Sequence, residues 1–312
     1  MTMRVQKLMI AAVALLVALP AFGQDRRGEE TERISRQFKI GANGRLTLAN
    51  ISGEIVLTAG SGDEVTLEAV KRTRGPRSEL ASVVIDIDER PGRVDIRTRH
   101  TGRGDRASVD YTVSVPRNAT VDVSSISGNV RARNLQGPLR AQSISGSVTV
   151  SDSTNVEVAK SISGDVELSG AMPEARLTAS TVSGRVRVRD VKARGLSLSA
   201  ISGDVDVTNV EAERLDGKSV SGDFVFVGTV ARNARYEFSS HSGSVRLTLG
   251  GGTGFEVSAN TFSGNIQSDL PVTVNDQRPR RGPGRSVRAV VGDGGASLTV
   301  STFSGDIVIR KQ

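Results

Sequence analysis

Residues 161–170, "SISGDVELSG", return along the chain in near copies: "SISGNVRARN" at 125–134, "SISGSVTVSD" at 143–152, "TVSGRVRVRD" at 181–190 and "AISGDVDVTN" at 200–209. Two more, "SVSGDFVFVG" at 219–228 and "TFSGDIVIRK" at 302–311, carry the phrase toward the C-terminus. The glycine of the phrase stands at Gly128, Gly146, Gly164, Gly184, Gly203, Gly222, Gly243, Gly264 and Gly305, with an isolated forerunner at Gly53. From Gly128 to Gly264 the steps are 18, 18, 20, 19, 19, 21 and 21 residues. A fixed period near 19 is the mark of a solenoid, in which each repeat is one supersecondary unit stacked on its neighbours.

Alternation within the unit makes it a strand unit, because a period of two with one apolar face describes a half-buried β-strand. Val130, Val148, Val166 and Val186 stand two residues after the glycine, and Ile126, Ile144, Ile162 and Ile201 two before it. Both sets are expected to point inward, as are the pairs Val121/Val123, Leu196/Leu198 and Tyr236/Phe238 further upstream. Most aromatics, among them Phe224, Phe226, Phe238, Phe262 and Phe303, are assigned to the core on the same count. "NVEVAKSISG" puts Val156 and Val158 one residue out of phase, which calls for a bulge.

Glycine at a repeated corner is expected to supply backbone angles that a side chain forbids. Ser before it and Asp, Asn or Ser after it can bond back to the local backbone. The gaps of 75 and 41 residues flanking the regular run are close to four and two further steps. About 13 steps at ~4.8 Å then give a rod roughly 60 Å long. The expected class is all-β: a single-chain β-solenoid, β-helix-like, with turns of about 19 residues and an irregular N-terminal β cap.

The remaining composition bounds compartment and chemistry. Arg4 and Lys7 precede "LMIAAVALLVAL", and "PAFGQD" follows, with small residues at Ala21 and Gly23. This is the build of a secretory signal peptide over 1–23, cut before Gln24. Its twelve apolar residues are too few for a membrane span of ~20, and no later segment is apolar enough to cross. With no cysteine in the chain, neither a lipoprotein anchor nor a disulfide framework is open to it. Residues 24–33 read as a charged flexible leader, 34–115 as the cap, and 116–312 as the regular solenoid. The protein is expected in the periplasm, at the cell surface or outside the cell.

The formal charge is +7, and two of those charges, Arg4 and Lys7, leave with the signal peptide. For an exported chain this favours an anionic envelope polymer, a glycan or an envelope protein as partner over nucleic acid. The segment 275–286, "NDQRPRRGPGRS", gathers Arg278, Arg280, Arg281 and Arg285 between prolines. Their planar forks suit carboxylates and phosphates, which makes them the candidate contact.

Other chemistry finds no pattern. His100 and His241 lack metal-ligand spacing, and His241 falls in a column otherwise apolar, so a structural buried histidine is expected. Asp165, Asp204, Asp223 and Asp306 follow the corner glycine, where turn chemistry competes with a stacked calcium site. Serine and threonine three before the glycine (Ser125, Ser143, Ser161, Thr181) form a column that could present hydroxyls to ice or sugar, or simply close the corner. No catalytic residues, metal ligands or cofactor site are assigned.

"VDYTVSVPRNATVDVSSISGNV" at 109–130, the serial S-[IV]-S-G-[DN] corners and the closing "GGASLTVSTFSGDIVI" carry a family likeness over about residues 45–312. The chain resembles the bacterial β-strand-repeat family known as putative adhesins, a domain of unknown function. The resemblance implies an exported or membrane-tethered envelope protein and supplies no catalytic residues. The function expected is therefore a non-enzymatic, adhesin-like interaction module of the envelope. A self-assembling envelope scaffold and an exported glycan-active β-helix enzyme are the alternatives.

Overall fold

The computed structural model describes residues 28–102, 106–172, 176–250, 254–270 and 284–312. Strands dominate them, with one short helix, Ser78–Ala81. Each repeat contributes a strand before the Ser-Gly corner and one after it. Leu139–Ser145 pairs in parallel with Thr120–Ser127 on one side and Val156–Ser161 on the other. Val148–Ser151 pairs likewise with Val130–Arg133 and Val166–Ser169. Two parallel ladders thus meet at the corner, and the chain winds as the solenoid its repeat requires.

The interior is built of columns. Residues seven and five before the glycine are buried, as with Val121 and Val123, Leu196 and Leu198, or Tyr236 and Phe238. So are those two and four after it, as with Val148 and Val150 or Phe224 and Phe226. Where four rings, Phe224, Phe226, Tyr236 and Phe238, crowd together, the column of Phe238 shrinks to Gly217 in the adjoining turn to make room. Phe224 and Phe238 lie 4.9 Å apart by ring centroids, and a Cβ at Gly217 would stand 2.3 Å from the Phe224 ring. The slip at Val156 is a bulge: Leu139 pairs with Val156 but Arg140 with Val158, leaving Glu157 as the extra residue.

The corner glycines are glycine for a different reason from the one their turn position implies. Among the ten, only Gly53 has a positive φ, at 108°. None of the others has a positive φ, but each backbone lies against the glycine of the adjoining turn. A Cβ on Gly128 would sit 1.9 Å from the Gly53 carbonyl oxygen, and one on Gly203 1.8 Å from that of Gly184. Gly146, Gly164, Gly184, Gly222 and Gly243 repeat this contact at 2.1–2.4 Å. The left-handed backbone instead comes six residues later, at Asn134, Asp152, Gly170, Asp190 and Asn209, with φ between 51° and 61°. Asn, Asp and Gly are the residues that tolerate that region best.

The glycine contacts also set the order of the turns. Gly128 stacks directly on Gly53, Gly305 on Gly243, and Gly264 outermost on Gly305. The 75-residue gap therefore inserts no turn between Gly53 and Gly128, and the 41-residue gap none between Gly264 and Gly305. Ten stacked corners make nine intervals, about 43 Å at ~4.8 Å each, shorter than the period alone implied. The 75-residue gap is spent on strands that cover the first turn: Arg93–His100 and Ser108–Pro116 lie on it in parallel. Val83–Arg90, Glu64–Thr73 and Glu30–Lys39 then add antiparallel. At the far end Arg285–Val291 pairs antiparallel to Phe255–Ser263, while the C-terminal strand Ile307–Lys311 lies inside the stack.

A buried hydrogen-bond group closes the first turn. Asn50 takes the place that serine or threonine fills elsewhere, and its Nδ2 donates to the Val109 carbonyl at 2.8 Å. Thr98 Oγ1 donates to Asn50 Oδ1 at 2.9 Å and lies 2.7 Å from the Tyr111 hydroxyl. Burial pushes the Tyr111 phenol up to about 12, against the lowering effect of Thr98.

Candidate functional site

The backbone changes parity at the corner. Upstream of the glycine the inward residues are seven, five and three before it, so the residue two before it faces out. Ile126, Ile144, Ile162 and Ile201 are 46–50% exposed, and Phe262 and Phe303 are 48% and 49% exposed. Their expected place in the core is thus corrected: the corner interrupts the alternation, and only the residues after it return to the inward face. Phe224, Phe226 and Phe238 are core, as expected. His241 belongs to the same outward file and is exposed.

Register stacks these side chains into one ladder. It begins at Ile51 on the first turn and runs through the isoleucines, Val182 and Val220 to His241, Phe303 and Phe262. The last three rungs are stacked rings, His241 on Phe303 at 5.0 Å and 8°, and Phe303 on Phe262 at 4.9 Å and 5°. Nine of the ten rungs are apolar.

Along its first six rungs the ladder forms one wall of a groove of about 790 Å³. The floor is the serine/threonine column three before the glycine, and the other wall is the column four before it. That floor is not an exposed hydroxyl array. Ser143, Ser161 and Thr181 are about 4% exposed, and their hydroxyls donate to the glycine carbonyls of the preceding turn at 2.8–2.9 Å. Ser219, Ser240 and Thr261 do the same at 3.1–3.4 Å. Ser125, at the start of the column, is buried without a hydrogen-bond partner. Its counterpart carbonyl on Gly53 is taken by Asn50 Nδ2 at 3.3 Å.

The far wall carries Arg97 at its head and Lys160 in its middle, both exposed, and Arg99 lies at the same end. No carboxylate lines the groove. Arg99 is paired with Asp86.

Elsewhere the aspartates that follow the corner glycines are taken up by the turns. The carboxylate after each corner accepts the backbone N–H of the adjoining turn: Asp165 from Arg185 at 2.8 Å, Asp223 from Ser244 at 2.9 Å, and Asp306 from Asn265 at 2.8 Å. Asp204 also takes the Arg185 guanidinium at 3.0 Å, and Asp223 that of Arg246 at 2.7 Å. Burial pushes the Asp223 carboxyl up, but the Ser244 N–H and the Arg246 charge outweigh it and hold it below its ordinary value. These aspartates serve the turns. Among the described residues no group of three or more His, Asp or Glu is placed to hold a metal ion, and no helix is long and apolar enough to cross a membrane.

Of the four arginines singled out in the sequence, Arg278, Arg280 and Arg281 lie outside the described residues. Arg285 opens the antiparallel end strand, is exposed, and donates to Asn265 Oδ1. The ladder was missed because its residues look, by type and spacing, like core. The signal available was the phase: two before the glycine is out of step with seven and five before it.

Three solved structures align with the chain at low identity. One is a "putative cell adhesion protein" from Clostridium sporogenes, 7% identical, covering 91% of this chain and 100% of its own, with a TM-score of 0.24. A "putative adhesin" from Bacteroides fragilis is 11% identical, with coverage of 89% and 97% and a TM-score of 0.43. A "putative lipid binding protein" from Parabacteroides distasonis is 11% identical, with coverage of 89% and 96% and a TM-score of 0.44. No curated protein matches the chain. The family model does match, over residues 45–310, which takes in every Ser-Gly corner from Gly53 to Gly305; the protein belongs to the Toastrack DUF4097 family.

Proposed function

We propose that the protein is an exported, non-enzymatic binding module of the cell envelope whose contact face is the apolar ladder. One observation carries this reading: nine apolar side chains, most of them about half exposed, stand in a single file on the outside of a protein with an ample core of its own. Contiguous exposed apolar surface on a soluble protein marks a place where something else docks. The signal-peptide pattern of the N-terminus supports export, and the pairing of outward carboxylates with arginines or backbone N–H groups leaves none of those aspartates poised as an acid or base.

The test is binding to isolated envelope material by the wild-type protein and by the triple variant Ile144→Thr/Ile162→Thr/Ile201→Thr. Threonine keeps the β-branched shape and removes most of the apolar contact. Retention should fall at least tenfold in the variant, with unchanged circular dichroism. Equal retention would refute the ladder as the contact face.

End-to-end assembly as a scaffold is less favoured by the described strands. The outermost strand at one end, Glu30–Lys39, reads "ETERISRQFK", the charged kind of edge that discourages pairing with another sheet.

A further inference from the structure

We infer that the groove beside the ladder takes a single long-chain anionic amphiphile, its acyl tail along the isoleucines and its carboxylate at the Arg97 end. This rests on the ladder being the contact face and names the chemistry of what it holds.

Length, polarity and charge each contribute. The groove runs past six rungs, from Ile51 to Ile201, and five steps of ~4.8 Å make about 24 Å. One leaflet of a bilayer, half of its ~30 Å hydrocarbon core, is covered by a single acyl chain, so a tail fits fully extended. The ladder side is isoleucine and valine without interruption. The opposite wall is serine, glutamine and lysine, which leaves a ribbon wettable on one edge and apolar on the other, as a tail lying on a surface requires.

The head is placed by what stands at the first turn. Arg97 is exposed and sits one rung beyond Ala49 on the polar wall, opposite Asp86, whose carboxylate is hydrogen-bonded to Arg99 instead. One turn further in, Ser125, buried and unpartnered, is the only member of the floor column in that condition among the described residues. An arginine fork and a hydroxyl without a partner are what a carboxylate would satisfy. With Asp86 held by the Arg99 guanidinium, the two arginines outnumber the one carboxylate there; Lys160 adds a further positive charge along the same wall, whose lining holds no acidic residue.

The probes are laurate, myristate and palmitate, with glycerol monolaurate as the neutral comparison, titrated calorimetrically below their aggregation concentrations. One molecule should bind per chain, tightening about fourfold for each two carbons added, the gain for half-burial of each methylene. Arg97→Ser should weaken laurate about tenfold and leave the neutral ester unchanged. Ile144→Thr/Ile162→Thr should weaken both, and circular dichroism should match wild type in every case.

No saturable binding by the folded protein, or laurate binding indifferent to Arg97, would overturn the inference. Uptake only onto vesicles, with no monomer bound, would overturn it equally and point to a membrane surface. If the ladder variants lose envelope retention while no carboxylate binds, the ligand class falls and the contact face stands. If palmitate binds but retention ignores the ladder, the contact-face reading falls instead.

Discussion

The corner glycines allow the stacking argument to be tested by the sign of one substitution, Gly203→Ala. The backbone of Gly203 lies outside the left-handed region. In open space, alanine there would stabilise the protein by about 0.4–1 kcal/mol by restricting the unfolded chain. But its Cβ would stand 1.8 Å from the Gly184 carbonyl oxygen, whereas ordinary contact begins near 3.4 Å. The turns must part by more than an ångström, and backbone bonds flank the contact: Ser202 N–H to Val182 at 2.7 Å and Val186 N–H to Asp204 at 3.0 Å. Losing both costs about 2–4 kcal/mol, and the unfolded-state gain reduces this to a net loss of roughly 1–3 kcal/mol. Urea unfolding followed by circular dichroism measures it as a lower midpoint. A fall in the slope as well would mean that the defect splits the rod into separately unfolding halves. Gly41→Asn is the control, because Gly41 has φ +76° with nothing within 4 Å, and asparagine tolerates that region. It should be mild, while Gly203→Asn should be severe. A neutral or stabilising Gly203→Ala would refute the close-approach account.

Further outcomes follow from the same structure. Mass spectrometry of the protein from its native host should find a mature chain starting at Gln24; one starting at Met1 would remove the export reading. The phenols of Tyr111, pushed up to about 12, and Tyr236, also raised by burial, should stay protonated through the ordinary tyrosine range near 10. The buried neutral phenols contribute stability that is full below pH ~10 and lost as pH rises through the folded values. Phenolate absorbance should therefore appear together with unfolding, and a titration near 10 in the folded protein would contradict it. Thr98→Val removes the hydroxyl joining Asn50 to Tyr111 and should cost about 1–3 kcal/mol in thermal or urea unfolding.

The period and the strand alternation were legible because a solenoid writes its geometry into the sequence once per turn. Val130, Val148 and Val166 face inward as their spacing says, and the bulge at Glu157 was visible as a slip in phase. The corner's mechanism was not legible. Glycine tolerates unusual φ and also permits close backbone approach, and a sequence does not distinguish the two. Only stacking shows that Gly203 serves the second need, while Asn134, Asp152 and Gly170 serve the first. The length of the rod was overread for a related reason. The 75-residue gap after Gly53 is close to four periods, but it adds one parallel layer, Arg93–His100 and Ser108–Pro116, and spends Val83–Arg90 and Glu64–Thr73 on antiparallel strands that cover the end.

The ladder raises the question of whether its side chains are there for the fold alone. Apolar neighbours across paired strands contribute about 0.2–1 kcal/mol each, and β-branched residues suit strands, so some stabilisation comes from the file itself. That explanation accounts for β-branching but not for apolarity, since threonine is β-branched and a strand former as well. Nor does the corner need it: closure is supplied one residue earlier by the buried hydroxyl on the glycine carbonyl, and two residues later by the stacked glycines. The columns seven and five before the glycine, and two and four after it, already fill the interior. Isoleucine at Ile126, Ile144, Ile162 and Ile201 leaves about half of each side chain in water, rung after rung, on a face where the adjoining wall bears arginine and lysine and no acid. Stability gains little from that arrangement and solubility loses by it. A surface for an elongated, apolar and negatively charged partner is the use that accounts for both walls at once.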